Sequence, residues 1–77
     1  MFDRNFNRLT PAEVERLALL VEEVGAVHHA IGKILRHGYD SQSPLGGPTN
    51  RESLEKELGS VYHAMMRMWS AGDIDED

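Results

Sequence analysis

Apolar residues return every three or four positions from Val14 onward: Val14, Leu17, Val21, Val24, Ile31 and Leu35, with His28 filling the one gap. Leu20, Val27 and Ile34 widen the stripe. This is the 3.6-residue period of an amphipathic helix, not the two-residue alternation of a strand. Thr10-Pro11-Ala12-Glu13 marks its start: a hydroxyl that caps, a proline suited to the first turn, and an acid at the positive helix end. Gly38, after His37, marks its stop. A second stripe runs through Leu54, Leu58, Val61, Met65 and Met68, broadened by Tyr62 and Trp69. It predicts a helix capped by Asn50, with Glu52 in its first turn, ending near Ala71-Gly72. Between the helices, Tyr39 to Thr49 reads as a loop punctuated by Ser41, Ser43, Pro44, Gly46, Gly47 and Pro48. It is long for a plain helix–helix connection, and such loops tend to carry function.

Ala18, Gly25 and Gly32 are spaced seven apart, so they fall on nearly one line of the first helix. Glycine weakens a helix interior by roughly 1 kcal/mol per residue, yet the apolar period runs on across both. The line therefore predicts close approach of another helix. Seventy-seven residues without cysteine make one small domain with a thin core and no disulfide or zinc–thiolate staple. Two helices do not enclose a core alone. The predicted fold is all-α: two long antiparallel helices per chain, closed into a four-helix bundle by dimerisation. Residues 1–9 are an N-terminal arm that docks through Phe2 and Phe6, residues 10–72 the helical hairpin domain, and residues 73–77 a frayed acidic tail. A net charge of -5 argues against coating DNA or RNA. No apolar run is long enough to span a membrane, and Met1 to Arg8 has no apolar signal core, which predicts a cytoplasmic protein.

Two carboxylates interrupt the apolar pattern. Glu23 is flanked at helical spacing by Leu19, Leu20, Val27 and Ala30, and Glu57 by Leu54, Leu58, Val61 and Ala64. An inward carboxylate is costly without a cation, a donor or water to compensate it. Positions three apart share a helix face, so acids at 23 and 26 and at 57 and 60 would grip one hard cation, and magnesium held that way binds phosphate oxygens. The first member of each pair is present; the second positions hold Ala26 and Ser60.

Glu22-Glu23-x-Gly-x-Val, then Ala30-Ile-x-Lys-Ile-Leu-Arg-His-Gly38, then Asn50-Arg-Glu-x-Leu-Glu-x-Glu-Leu-Gly-x-Val61, resembles the MazG-like all-α nucleotide pyrophosphohydrolases, above all short phage-encoded members. The resemblance covers roughly residues 10–72. It implies a helical dimer or larger assembly whose active form binds magnesium through Glu-x-x-Glu and Glu-x-x-Asp. Glu23 and Glu57 match that pattern, Glu22 matches the glutamate paired before it, and Ala26 and Ser60 depart from it. Each missing acid removes a negative charge and up to two oxygen ligands. What the resemblance leaves is a weakened magnesium site of Glu22, Glu23 and Glu57, with a hydroxyl at Ser60.

Lys33, Arg36 and His37 follow on the same helix. They suit phosphates at the mouth of a site, and equally the negative C-terminal end of the helix. His63, one turn after Ser60, is a candidate replacement ligand, although histidines on partly buried faces are more often structural. His28 and His29 are adjacent and face different ways. Tyr62, Trp69 and Tyr39 are candidates to stack on a base, against the plainer reading that Tyr62, Met65, Met66, Met68 and Trp69 are core. Ser41 and Ser43 have no partner that would make either a nucleophile. The reading that follows is a nucleotide-binding protein with little or no catalysis, sequestering a phosphorylated or cyclic nucleotide in a host cytoplasm. Its ligand residues are Glu23, Glu57, Lys33, Arg36, His37, Ser60 and Tyr62, and it requires no cofactor. The alternatives are a magnesium-dependent nucleoside triphosphate pyrophosphohydrolase and a helical protein-interaction module.

Overall fold

The computed structural model describes residues 7–75. They form two helices, α1 (Pro11–His37) and α2 (Asn50–Ala71), and among them there is no strand beyond an isolated bridge between Gln42 and Thr49. α1 begins with a capping box: Thr10 Oγ1 accepts the Glu13 N–H at 3.1 Å, and the Glu13 carboxylate accepts the Thr10 N–H at 2.7 Å. α2 begins with the same device, one residue earlier than predicted. Thr49 is the cap, its hydroxyl accepting the Glu52 N–H at 3.1 Å while Glu52 accepts the Thr49 N–H at 2.9 Å. Both Thr49 and Asn50 suit a cap. The reciprocal bond decides, because only Thr49 has a glutamate three residues on. Asn50 is instead the first helical residue, buried, with its side-chain amide donating to the Gly38 carbonyl at 3.0 Å and the Lys33 carbonyl at 3.5 Å.

The helices lie antiparallel along a seam whose half-buried positions include Arg16, Leu20, Glu23, Val27 and Ile34, with buried Ala30, on α1. On α2 they include Ser53, Leu54, Glu57, Val61 and the buried Ala64 and Met68. Those three, Ala30, Ala64 and Met68, are the only buried apolar residues among the described residues. The core of one chain is therefore as thin as the length predicts. The residues that widened the predicted α1 stripe are the ones that meet α2. The main stripe does not: Val24 and Ile31 keep 38% and 41% of their surface open, and Val21 keeps 70%. On α2, Leu58 and Tyr62 keep 50% and 55%.

These exposed residues gather on one side. An α-helix turns about 100° per residue. Val24 and Leu58 each follow a seam glutamate by one residue, and in two antiparallel helices facing each other that turn carries both toward the same face. Glu22 and Lys56, each one residue before, go to the other. The hairpin thus has an apolar face and a polar face. Gly25, on the predicted small-residue line, has nothing near where a Cβ would stand, while Gly32 has the Arg36 guanidinium 3.6 Å from that point.

The C-terminal end is not frayed through Asp75. Gly72 adopts the left-handed conformation (φ 82°) that ends a helix, with its N–H bonded back to the Met68 and Trp69 carbonyls. Asp73 then pairs with Arg16, and the Trp69 indole donates to the Asp75 carbonyl at 3.2 Å. Phe2 and Phe6, expected to dock the arm, lie outside the described residues. No helix of the described residues is long and apolar enough to cross a membrane.

Candidate functional site

The antiparallel register follows from its two ends. Asn50 touches the Lys33 carbonyl at the loop end, and Ala12 and Arg16 share a groove with Arg67 and Ala71 at the open end. Counting inward sets Glu23 near the level of Ser60, and Ala26 near that of Glu57. All four are half-buried. Ala26 and Ser60, three residues after the seam glutamates, lean toward the polar face. Among the described residues neither Glu23 nor Glu57 forms an ion pair. No group of three or more His, Asp or Glu side chains among them is close enough to hold a metal ion. Glu22 is exposed on the polar side, outside the seam. What the four positions offer is two carboxylate acceptors and one hydroxyl beside an alanine.

Lys33 and His37 stand one turn apart near the end of α1, and both line an open pocket of about 560 Å³ bordered by the loop. Ser41, Ser43 and Ser53 bring hydroxyls to it, and Gln42, Pro44, Gly46, Pro48 and Asn50 complete the lining. Arg36 is not part of it; its guanidinium folds back over Gly32. Tyr39 is engaged elsewhere, with the Arg51 guanidinium carbon 4.5 Å from its ring centre and Arg51 in turn 3.3 Å from Asp40. Tyr62 is exposed on the apolar side, in an edge-to-face pair with Trp69 at 6.4 Å. The structure therefore groups Glu23, Glu57 and Ser60 along the seam, and Lys33 and His37 at the loop. Arg36 and Tyr62 join neither group.

A second groove opens at the other end, between Glu15 and Arg16 of α1 and His63, Arg67 and Ser70 of α2. His63 is exposed there, beside Arg67 rather than in a cluster of acids. Arg16 is committed to Asp73 through two bonds, Nε to Oδ2 at 2.6 Å and Nη2 to Oδ1 at 3.0 Å. The hydrogen bond from Arg16 holds the Asp73 carboxyl below its ordinary range, and the same bond raises the Arg16 guanidinium further into its basic range. Ser53 and Gln42 were missed by sequence reasoning as pocket residues. Nothing local marks them, since they meet Lys33 and His37 only through the path of the loop. No protein-family model, curated protein or solved structure matches this chain.

Proposed function

We propose that this chain binds a nucleotide or a nucleotide-derived phosphorylated molecule on the polar side of the hairpin, with little or no hydrolysis. The observation that carries the reading is the division of chemistry along that side. Two carboxylates that form no ion pair among the described residues stand at the seam, and Lys33 and His37 stand at a pocket by the loop. Carboxylates accept hydrogen bonds from base or ribose donors, and a lysine offsets phosphate charge. In an acidic protein the overall field opposes an anion, so a local cation is needed. The MazG-like resemblance supports the same reading, while Ala26 and Ser60 remove half of the acids that a magnesium centre of that kind would use. Binding without turnover suits sequestration.

The working form in this proposal is a homodimer, a four-helix bundle in which a second copy covers the apolar face. The support is that face itself: it is two helices wide, follows a three-and-four spacing interrupted on α1 only by His28, and borders a core of three small-to-medium side chains. Calorimetry against nucleoside mono-, di- and triphosphates and cyclic dinucleotides, with and without magnesium, tests the function. At least one should bind. Lys33→Ala should weaken that ligand about tenfold or more, as expected for a charge-assisted hydrogen bond, and added salt should narrow the difference. Rapid magnesium-dependent pyrophosphate release, abolished by Glu23→Gln, would replace this reading with the pyrophosphohydrolase.

A further inference from the structure

The connection from Gly38 to Thr49 is twelve residues long, where antiparallel helices need roughly two to eight. Ordering the surplus costs about 1–2 kcal/mol of backbone entropy per residue. The loop is nevertheless tied down along its length. The Asn50 N–H donates to the Ser41 carbonyl at 2.9 Å, the Arg51 N–H to the Tyr39 carbonyl at 2.8 Å, and the Gly46 N–H to the Ser43 carbonyl at 2.9 Å. The Gln42 side chain bonds the Gly47 carbonyl, and the buried Asn50 amide clamps Gly38 and Lys33 from below. Gly46 and Gly47 both sit at positive φ, 95° and 101°, where other residues are strained. So long and so bonded a path does more than connect the helices: it forms one wall of the pocket.

The chemistry of that pocket is lopsided. Its lining holds Lys33, His37 and three serine hydroxyls, and no carboxylate, in a chain of net charge -5. The first N–H groups of α2 are not the donors, because Ser41, Tyr39 and Thr49 already use those of Asn50, Arg51 and Glu52. Recognition falls to side chains. A lysine with several hydroxyls suits the dispersed oxygens of phosphate, whereas a carboxylate is better matched by the flat fork of an arginine, which the lining lacks.

We propose that this loop pocket is a phosphate-binding subsite, taking the phosphate chain of the ligand between Lys33, His37 and the hydroxyls of Ser41, Ser43 and Ser53. The assignment deepens the nucleotide-binding reading and rests on it for the remainder of the ligand. At 1.5 Å per residue, the level of Ala26 and Glu57 lies about 10 Å along α1 from Lys33, within the span of a nucleoside di- or triphosphate. With its phosphates at the loop, such a ligand directs its sugar and base toward Glu57, and Ala26 leaves room where a longer side chain would stand.

The test is an amide ¹H–¹⁵N titration of the full chain with three probes: tripolyphosphate, adenosine triphosphate and adenosine, all without magnesium. The pocket predicts that tripolyphosphate moves the amides of residues 41–48 and Ser53 and competes with adenosine triphosphate. Lys33→Gln and Ser53→Ala, checked by circular dichroism for intact helices, should each weaken both phosphorylated probes, Lys33→Gln by tenfold or more. Glu57→Gln should weaken only the nucleotide. Nucleotide binding that leaves the loop amides unmoved and survives Lys33→Gln would overturn the subsite and leave the nucleotide reading standing. Tripolyphosphate binding at the loop without binding of any nucleotide in the calorimetric panel would keep the subsite as an anion site and end the nucleotide reading. No response to either phosphorylated probe would end the subsite, and no binding across the calorimetric panel would end the nucleotide reading as well.

Discussion

The proposed binding without turnover rests on Ala26 and Ser60. Counted from the two ends of the hairpin, each lies near the level of a glutamate of the opposite helix. In that proposal one carboxylate per helix leaves a hard cation short of oxygen ligands. Introducing both acids, Ala26→Glu with Ser60→Asp, should create a magnesium site where either change alone leaves an incomplete set. Magnesium titration followed by calorimetry checks this. The double variant should bind at least tenfold more tightly than the original chain, and equal gains from the two single changes would argue that the four positions do not share one ion. The two glutamates were legible in the sequence because they interrupt an apolar period. That they lie across the seam from Ser60 and Ala26 depends on helix register, which no local pattern carries.

At the scale of elements, local chemistry was read well and long-range chemistry was not. The start of α1 and both helix ends follow from caps that act within one turn. The start of α2 slipped by one residue because Asn50 is a good cap, and its buried role depends on carbonyls of Gly38 and Lys33 far back in the chain. The tail is the plainest case. Asp73 looked like the first residue of a frayed acidic run, but Arg16, fifty-seven positions earlier, holds it with a two-pronged bond. Only 12% of the Asp73 side chain remains open. This pair latches the end of α2 to the start of α1, and its pH dependence has a definite sign. Because the folded carboxyl titrates below its ordinary value of 3.8, the unfolded chain takes up the proton first as pH falls. The latch therefore contributes fully above that value and is lost as pH drops through the lower, folded value. Arginine stays charged throughout. Asp73→Asn should thus speed amide exchange at residues 69–75 at neutral pH. The difference from the original chain should fade in acid below the carboxylate range, and a difference that grew there would contradict the latch.

For the whole molecule, the question is what covers the apolar face. Sequence period predicted one broad apolar stripe on α1, but a single partner helix covers only one edge of it. α2 takes Leu20, Val27 and Ile34, and leaves Val21 and Leu35 with 70% and 81% of their surfaces open. Together with Leu58 and Tyr62 they extend a patch across both helices, and monomeric proteins seldom expose apolar patches beyond about 300–600 Å². In the proposed homodimer a second copy would meet this face about a two-fold axis, leaving the polar side with its loop pocket open on each copy. The small-residue line fits this less well. Gly25 is two residues beyond Glu23, about 200° around the helix, so it points away from α2 and past the edge of the shared face. Leu58 is the sharper probe. Half of it is already open in one chain, so Leu58→Glu leaves the hairpin itself little changed, yet it would bury a charge between copies. That costs several kcal/mol unless the charge is paired, and about 2.8 kcal/mol corresponds to a hundredfold loss of affinity. Equilibrium sedimentation should find the original chain as a dimer at micromolar concentration and Leu58→Glu shifted to monomer, while Gly25→Leu remains a dimer. Circular dichroism on the same samples separates dissociation from unfolding. If Leu58→Glu stays dimeric and Gly25→Leu does not, the copies meet along the glycine line instead. A stable, fully helical monomer of the original chain at that concentration would remove the bundle altogether.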